Sequence, residues 1–70
     1  MTFEEAQTEV DWACRGLNTI AAENGHATID GKTLGEMAAS LKTRTGRPVI
    51  LLLHPTPGGG YRVVGYPLLD

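Results

Sequence analysis

The first half of the chain carries the pattern of a long amphipathic helix. Over residues 2–24, apolar side chains recur at alternating spacings of three and four, which places them on one helix face at about 100° per residue. The positions of this stripe are Phe3, Ala6, Val10, Ala13, Leu17, Ile20 and Ala21. Thr2 and Glu5 have the spacing of a capping box at the start. Asn24-Gly25 suits the end, because glycine readily adopts the left-handed conformation found there.

A second, shorter helix is predicted to start at Thr33. Thr33 and Glu36 are spaced as another capping box. The apolar positions that follow form a single stripe: Leu34, Met37, Ala38 and Leu41. Lys42 and Arg44 fall in the last turn, where the helix dipole favours cations. Gly46 is the expected end of the helix.

Strand patterns occupy the rest of the chain. His26 to Asp30 alternates in polarity and predicts a short strand, which a turn at Asp30-Gly31 would end. Val49 to Leu53 are all apolar, which predicts a buried strand. Residues 55–60 are rich in proline and glycine and read as a loop, and residues 61–66 as the returning strand. The sequence therefore predicts an α+β fold.

In this fold, two amphipathic helices pack on a small, mainly antiparallel sheet in the order α-β-α-β-β. The length of 70 residues allows a single domain spanning residues 1–70. With residues 55–60 in the loop, His54 would face Tyr61 and Leu51 would face Val64. One sheet face would then carry Val49, Leu51, Leu53, Val64 and Tyr66, and the other Ile50, Leu52, Tyr61 and Val63.

Both predicted faces are apolar, whereas an antiparallel sheet with one solvated face usually alternates. Either the helices cover both faces, or a second chain covers one of them. A domain this small is marginally stable alone, which favours a partner chain, identical or different. An internal disulfide is excluded because Cys14 is the only cysteine, and Cys14, His26 and His54 lack the number and spacing of zinc ligands.

Net charge and the N-terminal sequence narrow the class of protein. Eight acidic and six basic residues give a net charge of −2, whereas a dedicated nucleic-acid binder usually has a basic excess. No apolar run is long enough to span a membrane, and the N-terminus has no signal-peptide pattern. A single unpaired cysteine fits a reducing compartment. We expect a cytoplasmic protein that does not associate with membranes.

Trp12 is the main candidate for contact with a partner. It falls on the face of the first helix opposite the apolar stripe, together with Glu5, Thr8, Glu9, Gly16, Thr19 and Glu23. Tryptophan is enriched at binding hot spots, and Gly16 leaves room beside the indole. The alternative is that Trp12 folds over onto the hairpin or a loop. The partner-binding prediction comprises Trp12, Glu5, Glu9, Gly16 and Glu23, with Tyr61 at the hairpin.

Residues with catalytic potential form no clear constellation. Cys14 lies in mid-helix near the apolar face, which favours a buried thiol over a nucleophile. His26, His54 and Tyr61, with Asp30, could form a minimal site only if the first strand pairs with the hairpin. The glycines at 58–60 lie between two strands, whereas phosphate loops lead into a helix. We predict no catalytic, metal-binding or cofactor-binding residue, and no enzyme.

A DNA-binding function is the alternative, with Lys42, Arg44 and Arg47 as possible contacts to phosphate. Residues 27–66 order as strand, helix, strand, turn, strand, and Leu34-Gly35-Glu36-Met37 precedes Gly46-Arg47-Pro48-Val49-Ile50. This region resembles the DNA-binding half of prevent-host-death-type antitoxins, and the element order is similar to a winged helix with one helix missing. The resemblance implies a dimeric transcriptional regulator. This sequence lacks the basic residues that the family carries at the start of its helix.

The prediction we favour is a small non-enzymatic protein-interaction module. It would act as an inhibitor or regulator by docking on another protein, alone or as a homodimer. Small acidic chains of this kind are common among the inhibitors and regulators of mobile elements. One contact surface would be centred on Trp12, and the other would be the uncovered sheet face with the hairpin tip.

Overall fold

Two helices followed by a hairpin make up the chain. A computed structural model describes residues 1–24, 29–58 and 60–69. Helix α1 spans Phe3–Asn24 and helix α2 spans Gly31–Thr45, and strands β1 (Val49–Pro55) and β2 (Tyr61–Pro67) form an antiparallel pair. The predicted α+β class is confirmed. None of the helices among these residues is long and apolar enough to cross a lipid bilayer.

Helix α1 begins with the predicted capping box. The Thr2 backbone N–H donates to Glu5 Oε1 over 2.9 Å, and the Glu5 N–H donates to Thr2 Oγ1 over 3.1 Å. The bond from the Thr2 backbone favours the carboxylate, and the Thr2 side chain adds to this effect, so the pKa of Glu5 lies below its ordinary value. The centre of the predicted stripe is buried, whereas Phe3 and Ile20 at its ends are exposed.

Helix α2 starts earlier than the sequence predicted. Asp30 is the N-cap, and its side chain accepts a 2.8 Å hydrogen bond from the Thr33 N–H. The predicted Thr33 cap is therefore wrong, because Thr33 already lies in the first turn of the helix and its N–H is bound by the Asp30 carboxylate. The helix ends as predicted at Gly46, which has φ 73° and donates its N–H to the Lys42 carbonyl.

The predicted first strand lies mostly outside the described residues. This holds for His26, Ala27 and Thr28. Ile29 is buried in the core and Asp30 caps α2, so the described part of this segment is not strand. In the described parts of the chain, the sheet consists of β1 and β2.

The hairpin register differs by one position from the prediction. Pro55 pairs with Tyr61, so His54 faces Arg62 and Leu51 faces Gly65. The loop is shorter than expected because Pro55 belongs to the strand. A proline is tolerated where the pairing requires no N–H, which is the case at Pro55. The shift exchanges the predicted faces of Tyr61, Val63, Val64 and Tyr66.

Both helices pack on the same face of the hairpin, with α1 over β2 and α2 over β1. The core residues are Ala6, Val10, Ala13, Cys14, Leu17, Ala21, Ile29, Leu41 and Val63, with Leu34, Met37, Val49 and Leu51 packed against them. The prediction that β1 is a buried strand is wrong. Its residues are half-buried or exposed, because neither α1 nor α2 covers the opposite face and the helix side of β1 is covered only in part.

Gly65 sets the distance between α1 and the hairpin. A Cβ atom at this position would lie 2.6 Å from Leu51 Cδ2, 2.6 Å from Val10 Cγ1 and 3.0 Å from Cys14 Sγ. These separations are far below van der Waals contact. The absence of a side chain at Gly65 is therefore what allows α1 to approach β2 so closely.

Candidate interaction surfaces

The face of the hairpin turned away from the helices is apolar and exposed. We call it the outer sheet face: Ile50, Leu52, Val64 and Tyr66. Ile50, Leu52 and Tyr66 are 42%, 49% and 53% exposed. His54 and Arg62, which pair at the hairpin end, continue this face with polar groups. Contiguous apolar surface of this kind is rare unless it binds something.

The outward edge of β2 is closed by side chains from α1. The Asn18 amide donates from Nδ2 to the Val63 carbonyl over 3.1 Å and accepts at Oδ1 from the Val63 N–H over 2.7 Å. Gln7 Nε2 donates to the Gly65 carbonyl over 3.2 Å. These bonds satisfy both outward backbone groups of Val63 and the outward carbonyl of Gly65, which are central groups that a further strand would otherwise bind.

The outward edge of β1 differs from that of β2 in its hydrogen bonding. The bonds from the Thr56 N–H to the Gly60 carbonyl and from the Leu68 N–H to the Pro48 carbonyl flank the ladder. Antiparallel pairs alternate, so the backbone groups of Val49, Leu51 and Leu53 point away from β2. Among the described residues, the structure gives these outward groups no hydrogen-bond partner. The sheet therefore has one closed edge and one open edge.

A groove of about 650 Å³ runs between α1 and β2. Its walls include Asp11, Arg15 and Tyr66, and its lining includes the Gln7 and Asn18 amides, which bind the β2 backbone. Because these amides already have partners, the charged side chains that remain on the lining are those of Asp11, Arg15 and Glu23.

Trp12 lies on the solvent face of α1, as predicted, and is 69% exposed. Two shallow depressions flank the indole, one of about 300 Å³ against Gly16 and one of about 440 Å³ against Glu9 and Arg44. No atom lies within 4 Å of the position of a Cβ at Gly16, so the predicted room beside the indole is present. Glu5 and Glu23 are exposed on the same helix.

Tyr61 lies at the start of β2, near the hairpin tip, and its side chain is exposed. Because of the register, it lies on the same face of the hairpin as Val63. It is separate from the Trp12 depressions, whose linings do not include it. The predicted partner-binding residues therefore belong to two separate regions of the surface.

The basic residues at the end of α2 differ in how far they contact the protein itself. Arg44 Nη1 lies 3.8 Å from Glu9 Oε2 of α1. Arg47 is half-buried, and its Nε atom is buried without a hydrogen-bond partner. Lys42 is exposed. The three predicted phosphate contacts thus differ in their availability.

The candidate catalytic residues are not brought together in the described structure. Burial raises the pKa of the Cys14 thiol, and the nearby Asp11 charge adds to this effect, so the reactive thiolate is disfavoured. His54 and Tyr61 do not face each other as predicted, because the one-residue register shift places them on opposite faces of the hairpin. His26 lies outside the described residues. Within residues 1–24, 29–58 and 60–69, no three His, Cys, Asp or Glu side chains form a group that could hold a metal ion.

Comparisons with known proteins leave the function to be argued from the chain itself. No family model matches, and neither the curated proteins nor the solved structures give a significant match.

Two features of the site were missed at the sequence level. The first is the closure of the β2 edge by Asn18 and Gln7, which has no local signal because it joins residues far apart in the chain. The second is the open β1 edge. The uncharged run from Val49 to Leu53 gave no signal for it, since natural edge strands are usually protected by charges and such a run is typical of a buried strand.

Proposed function

We propose that this protein is a small non-enzymatic interaction module that docks on another protein through the outer sheet face and acts as an inhibitor or regulator of that partner. The observation that supports this most directly is the exposure of Ile50, Leu52 and Tyr66 on one face of the hairpin, while both helices pack on the other. Interface centres combine such aliphatic and aromatic side chains with few charges.

The Trp12 surface is a second contact region in this proposal. Its exposed indole is bordered by shallow depressions whose linings include Glu9, Arg15 and Arg44, and Glu5 and Glu23 lie exposed further along the same helix. A partner that covers this helix face would carry an apolar pocket for the indole, with charges of both signs around it. The proposed site of action is the reducing cytoplasm, where a lone cysteine such as Cys14 remains a thiol.

Two adjacent leucines of β1 provide a matched test. Leu52 lies on the outer sheet face, whereas Leu53 lies on the helix side, and both are partly exposed. The immobilised chain would be used to capture proteins from its source cells, and the captured protein would then be purified. Calorimetry would measure the dissociation constant of the purified partner for the unmodified chain, for Leu52→Lys and for Leu53→Lys.

We expect Leu52→Lys to weaken binding at least about tenfold, because it places a charge in the centre of the apolar contact, while Leu53→Lys binds normally. Equal binding by both variants, together with a loss on Trp12→Ala, would move the docking site to α1. If no variant affects binding, or if the chain instead shifts duplex DNA at low salt with a steep salt dependence, the interaction-module proposal is wrong and the DNA-binding alternative gains.

A further inference from the structure

We propose that the open edge of β1 pairs with β1 of a second copy of the chain, giving a four-stranded antiparallel sheet. The outward N–H and C=O groups of Val49, Leu51 and Leu53 have no hydrogen-bond partner among the described residues. A row of such groups is satisfied by another extended chain, so it defines the chemistry of the occupant. This interface runs along the edge of the sheet, so it leaves the outer sheet face exposed and does not depend on docking there.

The sequence of β1 allows it to pair with itself. A two-fold axis at Leu51 would place Val49 opposite Leu53 of the second copy and Ile50 opposite Leu52. The outward-pointing groups lie on Val49, Leu51 and Leu53, which are the positions that exchange hydrogen bonds in such a register. Every side chain in the paired segment is apolar, so no like charges face each other.

A proline limits this segment at one end. Pro55 occupies an outward-pointing position and has no N–H to donate to another strand, whereas the carbonyl of Pro48 binds the Leu68 N–H and so faces β2. From Val49 to Leu53, the strand contains no lysine, bulge or inward-pointing charge of the kind that blocks the pairing of edge strands. The opposite edge differs, because Asn18 binds both backbone groups of Val63. The asymmetry favours β1 as the edge that associates.

The helix layer leaves space beside β1. Leu53 is 41% exposed on the helix side, whereas its partner Val63 in β2 is buried, so the helices cover β2 more completely than β1. The side of α2 that carries Arg44 faces α1, because Arg44 contacts Glu9 there. Gly31 and Gly35 lie on the opposite side of α2, near its N-terminus. A Cβ atom at either glycine would have no atom within 4 Å. This flank could therefore approach the second copy closely.

The size of the contact indicates a weak to moderate dimer. The 15 residues of α2 span about 22 Å, and the smallest extent of the molecule is 16 Å. Multiplied together, these two lengths give a flat area of about 350 Å² for the side of the molecule that carries the β1 edge. A standard interface buries about 800 Å² per partner, so this contact is small. We therefore expect a weak dimer whose population depends on concentration.

The first experiment measures mass by sedimentation equilibrium from micromolar to millimolar concentration, for the unmodified chain, for Leu53→Lys and for Tyr66→Lys. Leu53→Lys would place a charge against Val49 of the second copy, and we expect it to raise the dimer dissociation constant at least about tenfold. Tyr66→Lys, on the outer sheet face of β2 and outside the paired segment, should dimerise normally. Loss of the dimer in Tyr66→Lys alone would show face-to-face packing and overturn the proposal, as would a monomer at all concentrations.

A second measurement requires no variant. Hydrogen exchange of the Leu51 and Leu53 amides would be followed across the same concentrations. These amides point outward from the hairpin, so they should exchange fast in dilute solution and become protected as dimers form. A dimer that leaves both amides unprotected would use another interface and contradict the proposal. Because partner docking is tested with Leu52→Lys, its failure and the failure of dimerisation are distinguishable.

Discussion

Asn18 and Val63 form a pair that substitutes for a missing strand. The Asn18 amide offers one donor and one acceptor to the Val63 backbone, at 3.1 Å and 2.7 Å, which is what a residue of a neighbouring strand would offer. The pair fixes α1 against β2 at mid-helix, and Gln7 adds a second bond nearer the N-terminus of α1. A side-chain amide thus both closes the sheet edge and docks the helix.

Replacing Asn18 with leucine should lower the free energy of unfolding by about 1–3 kcal/mol, because the Val63 N–H and C=O would be left without their partners in a partly buried place. Urea denaturation measures this change. The control is Thr19→Ala at the next position, where the hydroxyl donates only to the Arg15 carbonyl of its own helix. A loss of similar size in both variants would contradict the role assigned to Asn18.

Gly65→Ala should destabilise the protein by about 1–3 kcal/mol, because the added methyl group would overlap Val10 and Leu51. The matched variant is Gly16→Ala, which adds the same group on the open face of α1. It should increase stability by up to about 1 kcal/mol, since alanine favours the helix. Thermal unfolding of the two variants measures both the expected loss and the expected gain of stability. A neutral Gly65→Ala would show that α1 can shift outward without loss of stability.

The helix cap at Asp30 makes stability depend on pH. The bond from the Thr33 N–H favours the carboxylate and lowers the pKa of Asp30 below its ordinary 3.8. A lowered folded-state pKa means that this contribution is complete above the unfolded pKa and is lost as the pH falls through the folded value.

The comparison variant is Asp30→Asn, which caps a helix but does not titrate. As the solution is acidified past the ordinary carboxyl range, the unmodified chain should lose melting temperature relative to the variant. The lowered pKa of Glu5 affects both proteins equally and therefore cancels. Parallel melting curves at all pH values would rule out this contribution of Asp30.

Trp12→Ala should separate binding from folding. The side chain is largely solvent-exposed, so the free energy of unfolding should change by no more than about 0.5 kcal/mol. If α1 forms part of the partner interface, binding should weaken by about 2 kcal/mol or more. Calorimetry with the purified partner and denaturation of the free variant measure the two quantities. Unchanged binding would remove Trp12 from the contact surface.

Local patterns in the sequence predicted the helices well. The capping box at Thr2 and the apolar stripe of α1 follow from spacing alone, as does the end of α2 at Gly46. The start of α2 was misplaced because Asp30 and Thr33 are both good caps, and the choice between them depends on the path of the chain into the helix.

The hairpin shows where local patterns stop being sufficient. Its length and apolar character were predicted, but its register depended on whether Pro55 belongs to the loop or to the strand. One residue of difference moved Val64 and Tyr66 to the outer sheet face. This face is exposed because both helices pack on the other side of the hairpin. That packing is a tertiary property, which the sequence of the strands does not indicate.

The closed β2 edge also has a consequence for how far self-assembly can proceed. If two copies pair through β1, both outer edges of the resulting sheet are β2 strands whose central backbone groups are already bound by Asn18. The contact is isologous, so it occupies the β1 edge of both copies. Assembly would then stop at the dimer, because no β1 edge would remain to bind a further copy, and fibres would not form.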